Sequence, residues 1–131
     1  MPHWERPRSI LGLLAGAAML ASSAAHSLVG WTQLRSALEQ ARAPEELILT
    51  LGMGWNFGGA AMLAFGLIVV ALFWRRLMGA PVSLMPAIII GVAYLVFGAW
   101  AFLGSHFDPF FFVFVVPGVM LLIASFSRRA A

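Results

Sequence analysis

Between Gly52 and Trp74 the chain reads GMGWNFGGAAMLAFGLIVVALFW, a run without a single charge. At ~1.5 Å per residue, a helix over this run crosses the ~30 Å hydrocarbon layer of a bilayer. That run makes the chain an integral membrane protein. Inside lipid no hydrophobic force draws one helix to another, so small side chains that allow close approach and a few polar contacts must hold a bundle together. Gly52, Gly59 and Gly66 recur every seventh residue, with Asn56 between the first two. This stripe is the expected contact face, and a strict seven-residue repeat wraps helices with a left-handed twist.

Composition agrees and removes whole classes of chemistry. The chain is 62% hydrophobic and 10% charged, against about 25% charged in soluble domains. Its net charge of +3 comes from eight arginines and five acids with no lysine. In a polytopic protein such basicity reports orientation, and no nucleic-acid partner is expected. The absence of cysteine excludes disulfides, thiolate metal sites, iron–sulfur clusters and cysteine nucleophiles. Without lysine there is no Schiff-base chemistry and no phosphate-loop lysine.

Around the central run the pattern predicts one all-α membrane domain over residues 1–131, with spans at about 10–31, 47–74, 84–104 and 109–127. The first carries Gly16, Ser23 and Gly30 at seven-residue spacing, with His26 on the same stripe. A rival expectation is a cleaved secretory signal: a basic start, the apolar stretch from Ile10 to Leu20, and small residues at Ser23, Ala24 and Ala25. From Thr32 to Ala43 the pattern is amphipathic, with Arg35 and Glu39 four apart, and predicts a helical extension outside the lipid. Pro44 followed by Glu45 and Glu46 is a helix start. Gly79, Pro81 and Pro86 break the chain after Leu77, and Ser83 is a candidate cap for the third span. Gly91 and Gly98 repeat the seven-residue spacing, with Tyr94 between them. Asp108 with Pro109 predicts the start of the fourth span, which Pro117 should kink. The glycine pairs Gly12/Gly16 and Gly54/Gly58 match the GxxxG contact motif.

Six arginines, at 6, 8, 75, 76, 128 and 129, fall on one side of these spans; Arg35 and Arg42 fall on the other, outnumbered by Glu39, Glu45 and Glu46. The positive-inside rule places both termini in the cytoplasm. Trp4 and Trp74 then mark the inner interface, Trp31 and Trp100 the outer one. Arginine-only basicity and alanine richness point to the inner (cytoplasmic) membrane of a bacterium.

Depth counted from the arginines puts His26 and Asn56 in one layer near the outer edge, with Trp55, Trp100, Phe110, His106 and Asp108 close to it and Tyr94 deeper. Each of these residues has a plain structural use. His26 serves as helix glue bonded to Asn56 or a carbonyl, Asn56 and Tyr94 as packing residues, and Asp108 as a cap. Their ligand reading is an outward pocket of His26, Asn56, Trp55, Tyr94 and Trp100. No catalytic set or metal site is expected. No cofactor is required, with quinone, or haem on His26 and His106, as the alternatives considered.

Three functions follow from different classes. A small non-catalytic scaffold or accessory subunit, associating with copies of itself or with a larger membrane complex, asks for nothing missing from the sequence. A binder or carrier of an apolar ligand (quinone, isoprenoid, lipid or haem) near His26 and Asn56 is the alternative. A small transporter or channel is third, weakened because no acid lies inside any span.

Overall fold

The computed structural model describes residues 5–126, and every regular element among them is helical. α1 (Glu5–Ala24) passes through a six-residue π-helical turn (Ala25–Gly30) into α2 (Trp31–Gln40). Together they form one rod of 36 residues. α3 (Glu45–Leu77) returns beside it, α4 (Met85–Gly104) follows, and a 3-10 turn (Pro109–Phe111) leads into α5 (Phe112–Ser125). The first rod, α3 and α4 are long and apolar enough to cross a membrane, while Pro109–Ser125 is a shorter apolar helix. Trp4, Arg128, Arg129 and the expected last residue of the fourth span lie outside the described residues.

Local chemistry explains where the helices begin and end. Pro44 precedes α3 with φ −56°, Glu45 and Glu46 occupy its first turn, and Arg75 and Arg76 its last. Both ends of the helix dipole therefore meet the opposite charge. α3 closes with Gly79 at φ +81°, the N–H groups of Gly79 and Ala80 donating back to the carbonyls of Arg76 and Arg75. This is the left-handed Schellman stop that glycine favours. α2 ends in the same way with Arg42 at φ 55°. At the end of α4, His106 takes φ 58° and Phe107 donates to the Phe102 carbonyl.

Pro86 does not break a helix. It sits in the first turn of α4, where its missing N–H has no helical partner to lose. Ser83 accepts from the Met85 N–H at 3.4 Å. Asp108 is the expected cap, its carboxylate accepting from the Phe110 N–H at 2.9 Å.

α1 packs along α3 and α4 along α5, with α1 also against α5 and a lighter seam between α3 and α4. Met19, Val69, Phe73 and Leu121 are fully buried between them. The glycine stripe of α3 lies against the first rod, with Leu20 over Gly66, Ser27 over Gly59 and Trp31 over Gly52. Pro117 lies inside α5 and is buried. Its neighbour Gly118 brings two backbones together, since a Cβ there would stand 2.9 Å from both the Gly91 carbonyl oxygen and the Leu95 nitrogen.

Arg8 and Arg76 converge on the other end of α5. Arg76, only 8% exposed, donates through Nη1 to the Ala124 carbonyl at 3.0 Å, and Arg8 donates to the Phe126 carbonyl. Cations there answer the unpaired carbonyls and the negative end of the helix dipole.

Candidate functional site

The expected polar layer begins at the π turn. An i→i+5 turn winds more loosely than an α-helix, and here the Trp31 N–H donates to the His26 carbonyl. The same carbonyl accepts from Trp55 Nε1–H at 2.8 Å. In return, His26 Nε2 lies 3.1 Å from the Trp55 carbonyl. A carbonyl can only accept, so the proton sits on Nε2. The two rings stack with centroids 4.3 Å apart and planes 2° from parallel. His26 and Trp55 are thus joined by two hydrogen bonds and a ring face. Below them Ser23 donates to the Gly59 carbonyl at 2.9 Å, deep in the same seam.

Asn56 turns elsewhere. Its amide donates to the Gly52 carbonyl of its own helix at 2.8 Å, and the residue meeting His26 is its neighbour Trp55. Successive residues on a helix point about 100° apart, so Trp55 takes the seam and Asn56 the flank. Of the five expected pocket residues, only His26 and Trp55 are joined. Tyr94 is buried between Phe65 and Phe114, with ring centroids at 6.5 and 5.7 Å, and its hydroxyl has no partner among the described residues. Trp100 is 70% exposed and touches Phe97.

The histidine pair does not fit haem ligation. His26 has its Nε2 bonded and one face covered, while His106 is an exposed helix-end residue in the left-handed conformation. No group of three or more metal-ligating side chains occurs among the described residues.

Asn56 instead borders a groove of about 590 Å³ between α2 and the head of α3. Trp31, Ile48, Leu49 and Met53 supply apolar walls, and Arg35, Glu39 and Glu45 a charged rim. Arg35 Nε–H donates to Glu39 Oε1 at 2.8 Å, a helical i, i+4 pair. The volume lies within the range of small-molecule and lipid sites. Arg35 and Glu39 were visible in the sequence as a helix-stabilising pair. Their meeting with Glu45 across the hairpin depends on tertiary packing that no local spacing records.

The chain matches no protein family, no curated protein and no solved structure.

Proposed function

We propose that the chain is a small non-catalytic multi-pass membrane protein acting as a scaffold or accessory subunit. It is a left-handed bundle of four spans with both termini cytoplasmic, and α5 is the fourth span, bent at Pro117. One observation carries this reading: Ser23, His26 and Trp55, at the seam between the first rod and α3, are engaged with backbone carbonyls of the facing helix. Ser23 bonds to Gly59, His26 to Trp55 and Trp55 to His26. Groups held in this way tie helices together. The burial of Ala15 and Met19 in the core supports a first helix that is kept, not cleaved. The arginine distribution supports the orientation, and composition supports a bacterial inner membrane.

Crosslinking in native membranes before mild solubilisation tests the subunit role. A complex of constant stoichiometry, with copies of itself or with other chains, is expected, and it should persist in His26→Ala. A protein that crosslinks to nothing in its own membrane would end this reading. Single cysteines at Ser36 and Ser83, in a chain that has none of its own, should react from opposite faces of the membrane. A second reading, a binder of an apolar or amphiphilic ligand, draws on the groove beside Asn56.

A further inference from the structure

Along the groove, polarity changes in one direction. Taken along the hairpin, its lining runs from Arg35, Glu39 and Glu45 past Ile48 and Leu49 to Trp31 over Gly52, with Met53 and Asn56. α3 carries roughly 40 Å of uncharged helix between Leu47 and Trp74 at ~1.5 Å per residue, more than the ~30 Å hydrocarbon layer requires. Along α3, Ile48 and Leu49 stand about one turn and Met53 about two turns further from the helix start than Glu45, on the side of the uncharged run. The order of chemistry in the groove is that of an amphiphile.

The charges narrow the headgroup. Arg35 uses Nε–H on Glu39, and its Nη groups have no partner among the described residues. A planar guanidinium suits phosphate oxygens. Glu45 forms no ion pair among the described residues, so the rim holds one more carboxylate than cation. A headgroup bearing phosphate alone would satisfy Arg35 and be repelled by Glu45. One bearing phosphate and a primary ammonium would satisfy both, its N–H donors reaching the carboxylates. A quaternary ammonium carries the charge but no donor.

Resting on the ligand-binding reading, we propose that this groove binds a zwitterionic phospholipid with an amine headgroup, with phosphate at Arg35, ammonium at Glu39 and Glu45, and an acyl chain along Ile48, Leu49 and Met53. The test uses the full chain in detergent, exposed to equal concentrations of dioleoyl phosphatidylethanolamine, phosphatidylcholine and phosphatidylglycerol and read by native mass spectrometry. Phosphatidylethanolamine should be retained about fivefold over phosphatidylglycerol, with phosphatidylcholine between them. Glu45→Gln should erase that preference, and Arg35→Gln should lower retention of all three. A phosphatidylethanolamine with a photoreactive acyl chain should label Ile48, Leu49 or Met53. Labelling in the groove with equal retention of the three lipids overturns the headgroup assignment and leaves the ligand-binding reading in place. Retention of none of the three lipids, with no labelling of the groove by the photoreactive phosphatidylethanolamine, overturns both.

Discussion

The seam between α1 and α3 and the seam between α4 and α5 are built on the same sequence device, glycines seven residues apart, yet they pack differently. In the first, each glycine of the seven-residue stripe on α3 lies beneath a side chain: Leu20 over Gly66, Ser27 over Gly59, Trp31 over Gly52. Polar bonds stitch that seam at Ser23, His26 and Trp55. In the second, Gly98 lies beneath Val115 and Gly91 beneath Leu121, but Gly118 on the facing helix lies against the backbone of Gly91 and Leu95, and aromatic rings fill the remainder, with Phe97 and Phe114 edge to face at 4.9 Å. A glycine beneath a side chain has a neighbour able to swing aside. A glycine against backbone does not, and overpacking costs most where nothing yields.

That difference ranks the substitutions. Gly118→Ala should be the most damaging, about 2–3 kcal/mol in thermal unfolding of the solubilised protein, because the added methyl meets main-chain atoms at 2.9 Å. If it melts like the native chain, the backbone contact between α4 and α5 is not as described. Gly59→Ala collides with the Ser27 hydroxyl and should cost about 1–2 kcal/mol. Adding Ser27→Ala should recover part of that loss, because the Ser27 Cβ is 3.4 Å from the added methyl. A simple sum of the two single effects would show that this hydroxyl is not the obstacle. Gly54→Ala meets nothing within 4 Å and should change stability by less than about 0.5 kcal/mol. A large loss there would expose a contact on this flank of α3, such as a partner chain.

The same comparison shows what the sequence could and could not say. The face α3 turns to the first rod was legible because glycine in a bilayer has a clear use, and the Gly52, Gly59, Gly66 stripe is where the seam runs. The two GxxxG pairs were indistinguishable by spacing. Gly12 and Gly16 lie against Phe73 and Val70, while Gly54 is open and Gly58 has only His26 Nε2 at 3.6 Å. The polar layer was half legible. Depth counting brought His26 to the level of Trp55 and Asn56, but which of two adjacent residues faces the partner depends on helix phase, and the π turn resets that phase on the first rod. Nothing in Ala25–Gly30 announces an i→i+5 turn. His106 was weighed as a ligand because imidazole is versatile, whereas its backbone at φ 58° gives it the task glycine performs at the end of α3. Arg8 and Arg76 were read for orientation, and their convergence on α5 spans sequence separations of 118 and 48 residues.

The Arg76 contact has a consequence for biogenesis. Its acceptor at Ala124 belongs to the last helix of the described residues, so during synthesis the guanidinium waits for the residue 48 positions later to emerge. A product that stops before α5 would leave that cation without its acceptor in the helix pair already assembled. Such a fragment carries a built-in mark of incompleteness, the kind of exposed defect by which quality-control proteases tell a stalled chain from a finished one.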